Sequence, residues 1–190
     1  MNADDVRRMV ADSLALKQRF FEENTTLLLD LGRRIAARLL SGARLLAFGN
    51  GGSAADAQHF VAELVVRLTH ERRALSAIAL TTDPSVVSAA GNDLGFASVF
   101  RRQLEAHGRP GDVALGISTS GRSPNVVEAL RAARALGLHT VGLTGNGGAT
   151  VATLVDDLVD VKHTDTQRIQ EVHGMVLHLL AQVVEEAARA

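Results

Sequence analysis

Apolar residues near the start of this 190-residue chain recur at the three- and four-residue spacing of an amphipathic helix. The pattern predicts two helices, over residues 4–23 and 25–40. In the second helix, the apolar positions at helical spacing are Leu27, Leu28, Leu31, Ile35 and Leu39. We therefore expect the chain to begin with a helical segment that ends before residue 41.

Short apolar runs with the length of buried strands follow, and helical stretches separate them. The runs lie at residues 45–48, 77–80, 113–117, 140–143 and 158–161, and a closing helix is predicted over 167–188. Intervening helices begin at cap signals such as Asp83-Pro84 and Ser123-Pro124. Strands that alternate with helices in this way form parallel sheets with helices on both faces.

The predicted fold class is therefore α/β, with a doubly wound, mostly parallel five-stranded sheet, helices on both faces and an N-terminal helical extension. No proline-rich linker or internal repeat divides the chain. We expect a single domain over residues 1–190, in which the extension covers residues 1–41 and the α/β core covers residues 42–190.

The loops that follow the strands are the predicted ligand site, because open parallel sheets bind ligands beyond the carboxyl ends of their strands. These loops are small, polar or rich in glycine: Gly49-Asn50-Gly51-Gly52-Ser53, Thr81-Thr82-Asp83, Ser118-Thr119-Ser120-Gly121 and Thr144-Gly145-Asn146-Gly147-Gly148. The first loop does not match the dinucleotide-binding glycine pattern, and no acidic residue follows at a convincing second strand end. These departures disfavour a nicotinamide enzyme.

The third loop is the most informative segment of the chain. Three consecutive hydroxyl residues and Gly121 follow an apolar run, Ser123 can cap a helix, and Pro124 suits the first helical position. Free backbone N–H groups and the positive end of a helix dipole favour a dianionic phosphate there. The Walker lysine pattern is absent, which favours a phosphorylated metabolite over a nucleoside triphosphate. An ordinary capped loop remains the alternative.

Two groups of polar residues lie on predicted helices. His59 and Glu63 are four residues apart on one helical face with Asp56, so the pair could bind a divalent metal, act as an acid/base couple or form a solvated helix pair. A second group contains His163, Gln170, His173 and His178. Of these, His178 lies within an apolar run and needs a partner if buried, since burying it unpaired costs roughly 1–3 kcal/mol.

Composition excludes several classes of protein. With 20 Lys and Arg against 21 Asp and Glu, in scattered positions, and without Trp or Tyr, the chain is not expected to bind nucleic acid or a membrane. Without cysteine it has no disulfide or thiolate chemistry. Neither of the two lysines, Lys17 and Lys162, lies in a candidate loop, which argues against an imine mechanism. An acidic start followed by no long apolar run predicts a cytoplasmic location.

Several segments together resemble the phosphoheptose isomerases of the sugar isomerase (SIS) domain family. They are Gly-Asn-Gly-Gly-Ser at 49–53, His59-Phe60 with Glu63, Gly91-Asn92-Asp93, residues 116–121 with Ser123, and Arg168-Ile169-Gln170-Glu171 with His178. The likeness covers nearly the whole chain. The hydroxyl loop is typical of many SIS domains, whereas Glu63 together with His178 narrows the resemblance to the isomerase.

The resemblance implies an enzyme that converts sedoheptulose 7-phosphate to D-glycero-manno-heptose 7-phosphate through an enediol, with Glu63 as base and His178 as acid. The residues implied to contact the substrate are Asn50, Gly51, Gly52, Glu63, Asn92, Asp93, Ser118, Thr119, Ser120, Ser123 and Gln170. One zinc ion per subunit is implied, bound by His59, Glu63, Gln170 and His178. A homotetramer with active sites at subunit boundaries is implied as well.

Helix geometry constrains the implied zinc ligands. Gln170 and His178 are eight residues apart, which separates them by roughly 12 Å along a straight helix and rotates them by about 80°. Ligands of one zinc ion lie at about 2.0–2.2 Å from it. Either the closing helix is irregular near Gln170, or the two side chains come from different subunits.

Two other interpretations stay open at this point. SIS proteins that bind the bacterial replication initiator do not retain the positions matching Glu63 and His178, both of which this chain has. An isomerase or sensor for another sugar phosphate would suit the hydroxyl loop equally well. At Gln167 and at Ala54-Ala55 the residue types differ from those of several relatives. The resemblance therefore does not determine the details of the pocket wall.

Overall fold

The computed structural model describes residues 1–189 and begins with one long helix, α1 (Ala3–Leu40). Asn2 caps it, because its side chain accepts hydrogen bonds from the N–H groups of Asp4 and Asp5. The prediction of two helices is wrong. At the expected break, the side chains of Asn24 and Thr25 bond to the carbonyls of Phe20 and Phe21 four residues earlier, and the helix continues.

Five parallel strands form the sheet, and all the predicted strands are confirmed. Their order is β2-β1-β3-β4-β5, and each neighbouring pair is parallel. The chain leaves β1 in one direction to form β2 and returns on the other side to form β3, so the topological switch point lies between β1 and β3. The strands are β1 (Leu45–Gly49), β2 (Ala77–Ala79), β3 (Val113–Ser118), β4 (His139–Gly145) and β5 (Asp157–Val161).

Helices cover both faces of this sheet, as the alternating pattern predicts. They are α2 (Gly52–Val65), α3 (Pro84–Leu94), a 3-10 turn (Phe96–Ser98), α4 (Val99–His107), α5 (Pro124–Ala135), α6 (Ala149–Ala152) and α7 (Thr166–Arg189). Side chains of β1 alternate between two apolar clusters: Leu45 and Ala47 pack with α1, α2 and α7, whereas Leu46 and Phe48 pack with α3 to α6.

Helix α1 is part of the layer that covers the sheet, because Leu28, Leu31 and Ile35 are completely buried in the same cluster as strand residues. The division into an extension and a core stays a prediction. None of the described helices combines the length and the apolar character needed to cross a bilayer. The carboxyl ends of all five strands lie at one edge, and the functional loops follow them.

Candidate active site

The hydroxyl loop, residues 118–123, connects the end of β3 to the first turn of α5. The hydroxyl of Ser118 is buried and lies 3.0 Å from the hydroxyl of Ser123. Thr119 is half-buried, and Ser120 is exposed, with its Oγ accepting a hydrogen bond from the N–H of Arg122. The loop thus brings the four predicted hydroxyl residues to the amino end of a helix, where phosphate groups commonly bind.

Ser123 occupies the predicted N-cap position of α5, but its side chain forms no cap hydrogen bond with the helix. Its hydroxyl pairs with Ser118 instead. In the first turn, the N–H of Val126 bonds to the side-chain oxygen of Asn125. The Ser123 hydroxyl therefore belongs to the loop rather than to the helix cap.

Gly121 fixes the shape of the hydroxyl loop. Its φ is 61°, and its N–H donates to the carbonyl of Ser118 over 2.9 Å. A Cβ at this position would lie 2.0 Å from the carbonyl oxygen of Gly148, in the loop after β4. Only glycine fits so close an approach in this backbone conformation.

The glycine loop, residues 49–53, lies between β1 and α2, directly beside the hydroxyl loop because β1 pairs with β3. Two asparagines join the loops: the amide of Asn50 donates to Asn125 over 2.9 Å, and the amide of Asn125 donates back over 2.8 Å. Asn125 is 2% exposed. The contact of Asn50 with a sugar stays a prediction, and the structure adds the pairing with Asn125, which no local pattern indicates.

Gln170, in the first turns of α7, lies against the start of α2. A Cβ on Gly52 would be 2.6 Å from Nε2 of Gln170, so the glycine allows the amide to rest on the helix backbone. Gly51, just before it, has a φ of 55°. Gln170 and the two predicted glycines therefore lie together at the carboxyl edge of the sheet.

Three predicted metal ligands come together farther along α2 and α7. Nε2 of His59 lies 3.0 Å from a carboxylate oxygen of Glu63, and the rings of His59 and His178 meet edge to face with centroids 4.8 Å apart. One ligand atom from each of the three residues lies within 4.8 Å of the others. Glu63 is half-buried, while both histidines are exposed, so solvent and ligands reach the group.

The donor set of this metal-ligand group suits a zinc ion. Two imidazole nitrogens and one carboxylate are the ligands of many catalytic zinc sites, in which a fourth position stays open for substrate or water. A tetrahedral ion with bonds of about 2.1 Å needs ligand atoms roughly 3.4 Å apart, which small side-chain rotations provide from the present separations. The residues therefore fit the metal.

The apolar run around His178 does not bury that histidine: His178 is exposed, and the fully buried histidine is His173. The two residues are five positions apart, which rotates them by about 140° around the helix. When one faces the core, the other faces outward. Burial lowers the pKa of His173 to about 4, although the Thr144 carbonyl and Asp160 favour its charged form.

Gln170 does not join the metal-ligand group within one chain. Helix α7 is continuous from Thr166 to Arg189, so the irregular start that was one of the two alternatives is not observed. The axial separation of roughly 12 Å between Gln170 and His178 therefore remains. As a zinc ligand, Gln170 stays a prediction that requires a second subunit.

Asn92 and Asp93 lie at the exposed carboxyl end of α3. The amide of Asn92 donates to the carboxylate of Asp93 over 2.7 Å. Within the described residues, this pair forms no side-chain hydrogen bond to the hydroxyl loop or to the metal-ligand group. Their contact with a substrate stays a prediction.

Two further charged side chains lie near the metal-ligand group. Asp56, one turn before His59, has a pKa raised by partial burial, which the positive potential of His59 opposes. The side chain of Arg72 is 1% exposed and donates to the backbone carbonyl of Glu63. Sequence reasoning missed Arg72, because no pattern over residues 63–72 indicates that its side chain returns to the end of α2.

Comparisons with known proteins agree with this fold and identify the family. Residues 9–145 match the family model of the SIS domain. The chain is 50% identical over 182 residues to a phosphoheptose isomerase of Desulfovibrio desulfuricans, covering 96% of this chain and 87% of that protein.

Two solved structures share the architecture over almost their full length. A phosphoheptose isomerase from Neisseria gonorrhoeae superposes with a TM-score of 0.90 at 40% identity, covering 96% of this chain and 98% of that one. Another from Francisella tularensis gives a TM-score of 0.94 at 30% identity, covering 98% and 100%. The chain therefore belongs to the SIS domain family and, within it, to the phosphoheptose isomerases.

Proposed function

We propose that the chain is an aldose–ketose isomerase that converts sedoheptulose 7-phosphate to D-glycero-manno-heptose 7-phosphate. The observation that carries the proposal is the meeting of His59, Glu63 and His178 in a member of the phosphoheptose isomerases. A carboxylate and an imidazole at an accessible site are the groups that proton transfer in such a reaction requires.

The hydroxyl loop binds the phosphate in this proposal, through the side chains of Ser118, Thr119, Ser120 and Ser123. The amino end of α5 adds backbone N–H groups and a positive dipole end. Because this loop is remote from the reacting carbons, it contributes affinity for the substrate rather than chemistry. Asn50, Gly51, Gly52, Asn92, Asp93 and Gln170 are the proposed contacts of the sugar.

Glu63 is the proposed base and His178 the proposed acid. The carboxylate of Glu63 takes a proton from C1 of the ketose, the electron pair of that bond forms a C1=C2 double bond, and the C2 oxygen takes a proton from His178. The enediol then collapses: His178 takes the hydroxyl proton from O1, Glu63 returns its proton to C2, and an aldehyde forms at C1, so both residues regain their starting protonation. The net change moves two hydrogens and loses no atom.

One zinc ion per subunit, bound by His59, Glu63 and His178 and completed by Gln170 of a second subunit, forms part of the proposal. When bound, the ion polarises the substrate carbonyl as a Lewis acid. A carboxylate has two oxygens and an imidazole has two ring nitrogens, so Glu63 and His178 can each hold the metal with one atom and keep the other for the proton.

The assembly in this proposal is a homotetramer with active sites at subunit boundaries, working in the cytoplasm. The unbroken helix α7 supports a shared site, because it keeps Gln170 and His178 of one chain apart. A protein that only binds the replication initiator has no use for the metal-ligand group. The convergence of His59, Glu63 and His178 therefore disfavours that interpretation.

The test is to incubate the purified protein with sedoheptulose 7-phosphate and to follow aldose formation. Turnover is expected, and a Glu63→Gln variant, which keeps shape and polarity, should lower kcat by roughly 10²–10⁴-fold. Five- and six-carbon ketose phosphates are tested in parallel, and faster turnover of one of them would identify a different sugar substrate. Absence of turnover with every ketose phosphate, or near-normal kcat in Glu63→Gln, contradicts the proposal.

A further inference from the structure

His173 is a completely buried polar side chain of α7 with no role in the proposed chemistry. Its Nε2 lies 3.0 Å from the carbonyl oxygen of Thr144, and its Nδ1 has no hydrogen-bond partner within the described residues. Burial keeps the ring neutral near neutral pH, so it carries a single N–H, and the carbonyl acceptor requires that N–H to be on Nε2. The bond to Thr144 is therefore the polar contact that His173 provides.

Thr144 lies near the carboxyl end of β4, opposite Ser118 of β3 in the sheet register. Its hydroxyl donates to Asp160 of β5 over 3.2 Å. Asp160 also accepts the N–H of Gly147 at 3.0 Å, in the loop that follows β4. His173 thus contacts the end of β4, where Thr144 bonds to Asp160 of β5, and Asp160 in turn holds the loop that follows β4.

The end of β4 and the following loop pack directly against the hydroxyl loop. A Cβ on Gly145 would lie 2.4 Å from Cδ1 of Ile169 in α7 and 2.9 Å from the carbonyl oxygen of Thr119. The N–H of Val151 donates to the carbonyl of Gly121 over 3.1 Å. The strand end is therefore wedged between α7 on one side and the hydroxyl loop on the other.

From this series of contacts we infer that His173 is a positioning residue for phosphate binding: it ties α7 to the end of β4 and thereby fixes the backbone of Thr119 and Gly121. The same helix carries Gln170 and His178, so the contact also fixes the position of the hydroxyl loop relative to these two residues. The inference rests on the proposed function in one respect, namely that the hydroxyl loop binds the phosphate.

Three substitutions at His173 separate positioning from packing. His173→Gln places an N–H donor near the position of Nε2 and should behave like the unsubstituted protein. His173→Leu removes the donor, and His173→Asn keeps polarity but is too short to reach the Thr144 carbonyl. Val184→Ala, another completely buried position of α7, is the matched control for lost packing.

Two measurements decide the inference. In His173→Leu and His173→Asn, KM for sedoheptulose 7-phosphate should rise roughly tenfold with kcat changed less than about threefold, as expected for the loss of one orienting hydrogen bond. Amide hydrogen exchange at residues 118–121 should become roughly fivefold faster or more. Neither change is expected in His173→Gln or Val184→Ala. If His173→Leu does not fold, His173→Asn supplies both readouts.

Unchanged KM in His173→Asn, or an equal rise in Val184→Ala, overturns the inference whatever the exchange rates. Unchanged exchange at residues 118–121 overturns it as well. Hydrogen exchange needs no turnover, so it still tests the inference if the protein fails to isomerise the heptulose. Failure of the proposed function and failure of the inference are thus distinguishable.

Discussion

The hydroxyls of the proposed phosphate site differ in their surroundings, and the difference shows which one can be changed without disturbing the fold. Ser118 is 3% exposed and paired with Ser123. Ser120 is exposed, and its only side-chain hydrogen bond in the described residues is the one it accepts from the N–H of Arg122. A substitution at Ser120 therefore reports on ligand binding rather than on stability.

Replacing Ser120 by Asp should raise KM for a phosphorylated ketose by more than roughly tenfold, because the new carboxylate repels the phosphate dianion. Ser120→Asn, which is similar in size and uncharged, is the control and should have a much smaller effect. Steady-state kinetics measure both, and the repulsion should weaken in high salt. Equal KM values in the two variants would place the phosphate elsewhere.

Helices α2 and α7 lie side by side in the same direction and are joined at both ends. At the start, Gln170 rests on Gly52. Beyond the end of α2, the carboxylate of Glu185 accepts hydrogen bonds from the N–H groups of residues 68–70 and from the hydroxyl of Thr69. Burial opposes the charge of Glu185, but these hydrogen bonds outweigh it and lower its pKa to about 2. The joined helices hold His59 and Glu63 against His178.

Glu185→Gln should destabilise the protein by about 2 kcal/mol at neutral pH, since buried N–H donors lose a charged acceptor. A folded-state pKa below the ordinary 4.5 means that the carboxylate stabilises the fold above pH 4.5 and loses this effect as pH falls toward 2. The difference in free energy of unfolding between the unsubstituted protein and Glu185→Gln should therefore narrow as pH falls from 4.5 toward 2. Thermal unfolding at successive pH values measures it, with Glu128→Gln, at a half-buried surface position of α5, as control.

If the destabilisation by Glu185→Gln stays constant down to pH 3, or if Glu128→Gln destabilises the protein equally, this role of Glu185 is contradicted. His173 does not confuse the comparison, although its lowered pKa also makes the protein less stable as pH falls from 6.5 toward 4. Both proteins retain His173, so its contribution cancels in the difference.

On the scale of the whole molecule, one chain leaves parts of its surface and its proposed site incomplete. The first turns of α1 expose apolar side chains, among them Val6, Val10 and Leu14 at four-residue spacing. A contiguous exposed apolar stripe is typical of an interaction surface. The separation of Gln170 from His178 also requires a second subunit if both bind one metal. Both features favour assembly of the chain with copies of itself.

Gln170→Ala and His178→Ala proteins should each lose activity by roughly 10²-fold or more if both residues belong to each working site. When the two are mixed by co-refolding, about a quarter of the sites in random hybrids should contain both native residues, because a closed symmetric oligomer repeats one interface. The activity of the mixture should then exceed the sum of the parents. Verified hybrid tetramers without such complementation would assign both residues to one chain.

The sequence by itself determined the elements and the positions of the loops. Apolar runs, helical spacing and cap residues such as Asp83 and Pro124 are local signals, and the strands and the start of α5 followed them. The rule for parallel sheets then located the glycine and hydroxyl loops. Where the prediction of two N-terminal helices was wrong, the reason was also local: side chains at Asn24 and Thr25 bond within the helix that they were expected to end.

Only the tertiary structure decided which polar groups meet. The pairing of Asn50 with Asn125, the hydrogen bonds of Glu185 to residues 68–70 and the burial of His173 in place of His178 each depend on how distant segments pack. An apolar run identifies a buried helix, but the rotation of that helix against its neighbours selects the side chain that faces inward. That rotation is set by packing over the whole sheet, which residues adjacent along the chain do not encode.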